Sequence, residues 1–428
     1  MQGWRRSAPS VTLLPMNAIS LPEQVVIEEA AAAPMLAQVE RWAAVNSGSR
    51  NLSGLADTAA MLADAFAILP GEIALVDPAP VDSVAANGQV YALDHGRHLH
   101  LSVRPEAPVR ILLTGHMDTV FAADDSFQTL RWLEPGVLNG PGVADMKGGI
   151  AVMLAALAAL ERSPDAARIG YDVVINSDEE VGSPSSAALI ARAAQGKIAA
   201  LTYEPSALPD GTLAGARAGS GNFSIIIFGR SAHAGRNPED GRNALLAAAD
   251  IALRLKAASG VTPDGRGFSC NPAKIDGGSP NNVVPDQAVL RVNFRPRTPA
   301  DETAASALLD QVIADVALAH DVVVHRHGGF GRPPKPMDEK AERLFGLVQQ
   351  CGADLGLSIA WKDTGGVCDG NNIAACGVPV VDTMGARGGS IHSHDEFLLT
   401  DSLPERAALS ALTLMRLAEG RHTLHRSP

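Results

Sequence analysis

Residues 109–121 read VRILLTGHMDTVF. The apolar run at the start of this stretch passes through Thr114 and Gly115 to His116, with Asp118 two residues on. A short, continuous apolar run bounded by a glycine is the pattern of a strand buried on both faces. Such strands belong to sheets covered by helices on each side. A histidine closing one is a core residue, a catalytic base or a metal ligand, and this stretch alone leaves all three open.

Similar runs lie on either side: QVYALD at 89–94, HLHLSV at 98–103, YDVVINS at 171–177 and IAALTYEP at 198–205. Between two of them, GGIAVMLAALAALERS at 148–163 reads as a helix, and residues 23–68 read as Ala-rich helices with apolar faces. Strands alternating with helices predict an α/β layer with a largely parallel sheet. From Ala218 the pattern changes. NFSIIIFG, GRNALLAAADIALRLKAAS, NPAKIDGG, AVLRVNFR, DETAASALLDQVIADVALAH and DVVVHR give the order β-α-β-β-α-β. That is the ferredoxin-like arrangement, which predicts an inserted α+β domain over 218–327. GGFGRPPKP at 328–336 reads as a Pro/Gly-rich linker, after which the α/β pattern resumes. The expected catalytic domain is therefore 1–217 together with 328–428.

The chain has 428 residues and a net charge of −12, from 35 basic and 47 acidic residues. With only 3 Tyr and no long basic run, it lacks the patches that nucleic acid or an anionic membrane surface requires. Cys270, Cys351, Cys368 and Cys376 form no C-x-x-C pair, which reads as a reduced, cytoplasmic protein. The N-terminal arginine pair is followed by an apolar patch that Pro15 and Asn17 break, so no secretory or twin-arginine signal is expected, and Met16 is an alternative start. IAVMLAALAAL is about half of a membrane span and fits a buried helix.

In an open α/β sheet, ligands gather beyond the carboxyl ends of the strands. His116 is at such a position, and so are the acids of SDEE after YDVVIN and Glu204 after IAALTY. Asp145 lies in a glycine-rich loop that leads into a helix, and His392 and His394 follow VPVVDTM. The loop around Lys147 lacks the G-K-[ST] element of a phosphate-binding loop.

Eight stretches carry a resemblance to a known family. They are TGHMDTVF, GPGVADMKGG, SDEEVGSPSS, YEPS, GRSAHAG, NNVVP, NFRPRT and IHSHDEF, in this order. The chain resembles the M20 family of zinc-dependent peptidases and amidohydrolases over residues ~40 to 420. It is most similar to the glutamate carboxypeptidase branch, with acetylornithine deacetylase-like enzymes as relatives. The resemblance implies a zinc-peptidase catalytic domain of the phosphorylase/hydrolase-like type, with the inserted domain serving as lid and as the surface of a homodimer.

It also implies roles for individual residues. His116 and Glu204 would hold one Zn2+, and Glu180 and His392 the other, with Asp145 bridging the two. Co2+ or Mn2+ could substitute. Asp118 would orient His116, and Glu179 would be the general base. His233 would steady the reaction oxyanion from the partner subunit. Asn282 and Arg295 would hold a substrate carboxylate, for which a guanidinium fork is well shaped. Arg297 and Arg387 are further sources of positive charge. The family pattern H-S-x-D-E selects His392 over His394. Cys368 stands where relatives carry Ser or Thr, and no paired histidine near it in sequence supports a nucleophile. The histidines of HGRHLHLS and HRH lack matching carboxylates and read as exposed strand positions.

The function expected is metal-dependent hydrolysis of an amide next to a free carboxylate, releasing glutamate or a similar residue from a small acyl or peptidyl substrate. An N-acyl amino acid deacylase acting on acetylornithine or succinyl-diaminopimelate is the second reading. An inactive scaffold is the third, and the intact ligand set argues against it.

Overall fold

The computed structural model describes residues 19–420, so Met16 and the apolar patch around it lie outside the described residues. Val109–His116 is an interior strand of a six-stranded sheet. The order across that sheet is Glu72–Val76, His98–Val103, Ile169–Asn176, Val109–His116, Ala199–Thr202 and Val380–Val381. The last four strands run parallel to one another, and the first two join them by antiparallel pairings.

Side-chain alternation along Val109–His116 explains why its apolar run is unbroken. Ile111 and Leu113 face a core built with the helices Gly149–Glu161 and Ser402–Ala418. Leu112 faces the opposite layer, where Leu189, Ile190 and Ala193 of the helix Ala187–Ala194 pack. A strand covered on both sides has no face for polar residues until it ends. The helix Gly149–Glu161 belongs to a stretch, Val143–Glu161, apolar enough to cross a membrane, but 94% of that stretch is buried within the protein.

A second, five-stranded antiparallel sheet has the order Gly260–Val261, Gly267–Gly277, Gln287–Pro296, Ser220–Phe228 and Val323–Arg332. The helices Ala244–Ala258 and Pro299–His320 pack against it around Ile225, Leu290 and Phe294. The chain order is β-α-β-β-α-β with one short added edge strand.

Three local readings change. QVYALD does not enter the main sheet: Val90–Ala92 pairs with Asp82–Val84 in a separate two-stranded ribbon, and all three of its residues are exposed. The glycines of GGFGRPPKP do not begin a linker, since Val323–Arg332 continues through them and pairs with Ser220–Phe228, with one irregularity at Gly331. His95 and His98 are buried rather than exposed. Ser177 and Ser185, from distant segments, supply His98 with hydrogen-bond partners at 3.3 Å, which sequence spacing could not reveal.

Candidate metal centre

Strands Val109–His116 and Ile169–Asn176 end side by side, with His116 in register with Asn176. Two turns therefore leave the sheet together, one carrying Asp118 and the other the acids Asp178, Glu179 and Glu180. Asp118 is fully buried and joins them. Its carboxylate accepts from the backbone N–H groups of Glu179 and Glu180 at 3.1 and 3.2 Å, and from Ser49 Oγ at 2.7 Å. The His116 ring is held by Asp118: Nδ1 lies 3.0 Å from its main-chain carbonyl oxygen and 3.4 Å from its side-chain Oδ1. This leaves Nε2 of His116 free to face the cleft.

Asp145 lies opposite. Its loop, GPGVADMKGG, needs glycine at two positions. Gly142 has φ +73°, and a Cβ there would meet Lys147 Nζ at 2.6 Å. At Gly149 a Cβ would lie 1.9 Å from the carbonyl oxygen of Tyr203, so only glycine lets the helix start against the strand end that carries Glu204. Glu396, from the segment after His394, braces the loop. Its carboxylate accepts from the N–H groups of Gly142, Ala144 and Asp145 at 3.0–3.1 Å.

The five residues expected to bind metal converge. Asp145 Oδ1 is 3.0 Å from His116 Nε2, and Asp145 Oδ2 is 3.3 Å from His392 Nε2. Glu204 Oε2 lies 3.6 Å from His116 Nε2, and Glu180 Oε2 lies 3.1 Å from His392 Nε2. Asp145 thus presents one oxygen to each histidine, and each histidine has a second carboxylate. His392 reaches this position with φ +63°, a backbone state that costs a non-glycine residue about 1–3 kcal/mol. His394 points elsewhere, 2.9 Å from Asp125 and stacked on Phe127.

The electrostatics are those of a site built for cations. Burial raises the Glu180 carboxyl, and its neighbour Asp145 adds to this, to about 7. Burial also raises Glu204, and Glu204 Oε1 has no hydrogen-bond partner among the described residues. The bonds from Asp145 and then Glu180 push the His392 ring up to about 11. At His116, burial opposes charge, but Glu204, Asp118 and Asp145 together hold the ring well above its usual range. Protonated imidazoles are what such carboxylates collect when no other cation neutralises them. Neutral imidazoles, carboxylates and a buried unpaired oxygen are together a donor set that divalent metals accept.

Glu179 is also at the cleft but is engaged differently. Its Oε1 accepts from Arg332 Nη2 at 2.7 Å, and Arg332 also bonds Asp369 at 2.9 Å and the Glu179 carbonyl at 2.9 Å. Arg332, Glu396 and Asp369 were not singled out from sequence. Arg332 lay hidden in the supposed linker, and the one available signal for Glu396 was its place two residues after His394. Arg295 lies close enough to Arg332 for the two like charges, after burial, to lower its pKa. Its Nε donates to Asn293 at 2.9 Å. His233 and Asn282 are exposed on neighbouring loops, with the Ala234 N–H bonded to the Asn282 carbonyl at 2.9 Å. Among the described residues, no hydrogen bond or ion pair joins either of them to the five. Arg387 pairs with Asp401 and Glu405, and its charge is spent there. Cys368 is buried in the wall of the cleft, a cavity of about 470 Å³ that reaches from Asp145 and His392 to Arg217 and Phe397.

A histidine–carboxylate cluster at the carboxyl ends of a covered sheet, opening into a cleft of this size, defines a metal-dependent hydrolase. The chain belongs to peptidase family M20/M25/M40, whose sequence profile matches residues 112–416. It is 30% identical over 319 residues to carboxypeptidase G2 of Pseudomonas sp. (strain RS-16), covering 73% of this chain and 74% of that protein. It is 30% identical over 311 residues to succinyl-diaminopimelate desuccinylase of Maricaulis maris (strain MCS10), covering 67% of this chain and 75% of that one. Among solved structures, an M20 family metallo-carboxypeptidase from Sulfolobus solfataricus shares the fold. Its TM-score is 0.68 and its identity 14%, over 90% of this chain and 100% of that one. A tripeptidase from Staphylococcus aureus subsp. aureus mu50 does so at 0.67 and 22%, over 93% and 99%. The chain is accordingly an enzyme of metal-dependent amide hydrolysis.

Proposed function

We propose that the enzyme is a dizinc amidohydrolase of carboxypeptidase type, which releases glutamate or a similar amino acid from an N-acyl or peptidyl substrate. The observation that carries the reading is the position of Asp145, with one oxygen toward His116 and the other toward His392. His116 and Glu204 would hold one metal ion, and Glu180 and His392 the other, with Asp145 within reach of both histidines. When bound, such a pair of ions polarises the scissile carbonyl and lowers the pKa of water at the site.

The remaining work falls to the protein. Glu179 takes the proton of the attacking water on its carboxylate and delivers it to the leaving amine nitrogen. Arg332 holds that carboxylate at the cleft. Asp118 fixes both the His116 ring and the turn bearing Glu179 and Glu180. Arg295 and Asn282 hold the free carboxylate of the substrate, and His233 of the partner subunit steadies the oxyanion. This needs a homodimer formed through residues 218–327, the inserted lid, with 1–217 and 328–428 as the catalytic body. The substrate class is supported by the similarity to carboxypeptidase G2. The four cysteines are free, which suits a reducing cytoplasm.

The likeness to succinyl-diaminopimelate desuccinylase supports a second reading, deacylation of an N-acyl amino acid by the same machinery. Parallel assays with zinc-loaded enzyme separate the two. Release of glutamate from N-acyl-glutamates and folate-like amides supports the first. Turnover confined to N-succinyl-diaminopimelate or N-acetylornithine replaces it with the second.

A further inference from the structure

A second cavity, of about 640 Å³, lies at the opposite end of the main sheet, between its strands and the helix Ala187–Ala194. Arg110 lines it from the second residue of the strand that ends in His116. Six residues of strand put the two sites ~20 Å apart. The face is apolar further along, where Leu112, Val174 and Ala200 meet the helix. At this end charged residues take over. Arg110, Arg192, Lys197 and His100 line the cavity, and Asp172 is the one acid there among the described residues.

The charges do not cancel. Asp172 is 7% exposed, and both its oxygens are taken: Oδ1 by His100 Nε2 at 2.7 Å, Oδ2 by Lys197. The Lys197 side chain is itself 7% exposed. Neither Arg110 nor Arg192 forms an ion pair or hydrogen bond through its guanidinium among the described residues. Three permanent cations against one carboxylate leave the cavity at +2, in a chain whose net charge is −12. Arg192 occupies the last turn of its helix, where a cation also suits the helix dipole. Arg110 comes from a strand and has no such role. Two unpaired guanidinium forks that line one concavity suit the oxygens of phosphate or of paired carboxylates.

We propose that this cavity binds a small dianion, a phosphate or a dicarboxylate, independently of the metal centre. The ligand's oxygens accept from Arg110 and Arg192, and Lys197, which also lines the cavity, stays paired with Asp172. The volume accommodates a molecule larger than inorganic phosphate.

Calorimetric titration of the metal-loaded full chain with inorganic phosphate, and separately with succinate, tests this. The proteins compared are wild type, Arg192→Ala and the double variant Arg110→Ala/Arg192→Ala. Keeping the metals in place leaves any anion binding at the metal centre common to all three. The expected result is a binding step in wild type that weakens about tenfold or more in Arg192→Ala and vanishes in the double variant, with amide-hydrolysis turnover unchanged. The stronger of the two probes identifies the ligand chemistry. Arg192 is exposed, so its single variant decides the matter even if the double variant folds poorly. Isotherms that are the same in wild type and Arg192→Ala, or no binding of either probe at millimolar concentration, overturn the proposal.

Discussion

Arg332 and Glu179 are joined across two sheets: the guanidinium Nη2 lies 2.7 Å from the carboxylate Oε1, with both side chains buried. Arg332 is the last residue of an edge strand of the five-stranded sheet, and Glu179 lies in the turn beyond the six-stranded one. The same guanidinium bonds Asp369 at 2.9 Å. Replacing it strands two buried carboxylates. Arg332→Met should cost about 3–5 kcal/mol of stability, the range for breaking a buried ion pair from one side. Arg332→Lys keeps the charge but not the fork and should fall between. Urea unfolding of the metal-loaded proteins checks both.

Glu179→Gln removes a proton acceptor and no proposed metal ligand. Turnover should fall about 10²–10⁴-fold while metal content stays at the wild-type level. Measuring both on one preparation separates the loss of the base from the loss of the metals. Turnover near wild type would remove Glu179 from its role.

His392 and His394 make a clean pair. His392 meets Asp145 and Glu180, whereas His394 meets Asp125 and Phe127. His392→Ala should lower the metal content and abolish turnover. His394→Ala should retain both and lose at most about 1 kcal/mol, the scale of a largely exposed ion pair. Elemental analysis of the two variants decides the choice.

Metal removal should change the pH dependence of stability. In the metal-free site the folded pKa of Glu180 is about 7, above its ordinary value near 4.3 in the unfolded chain. Between those values the folded state binds the extra proton, so stability falls as pH rises. Chelator-treated protein should therefore lose thermal stability from pH ~4.5 to ~7, and the metal-loaded protein should resist that loss. Melting curves in the presence and absence of chelator across this window are the check. Parallel profiles for the two forms would contradict it.

The convergence of the histidine–carboxylate cluster was legible where a residue's type and its place at a strand end carried the information. His116, Asp145, Glu180, Glu204 and His392 each follow an apolar run or open a helix, and a sheet must bring such ends together. The supporting groups were not legible, because their meaning lies in partners from distant segments. Arg332 sits among glycines and prolines that imitate a linker, yet the strand runs on past the glycines and ends at Arg332 itself, just before the prolines. The Glu396 carboxylate finds its partners far away in sequence, and only the folded chain brings it to three backbone N–H groups of the Asp145 loop. The buried His98 was misjudged for the same reason, since its serines come from about 80 residues away. The β-α-β-β-α-β order was readable because each element is long enough to show its period, whereas Val90–Ala92 was too short to reveal which sheet it joins.

The account depends on Asp145 being shared by two cations. Anomalous diffraction at the zinc edge from crystals of the zinc-loaded enzyme tests this most directly. The account predicts two peaks about 3.5–4 Å apart, one beside His116 and Glu204 and one beside Glu180 and His392, with an oxygen of Asp145 on each. A single peak, or none within reach of Asp145, would contradict it.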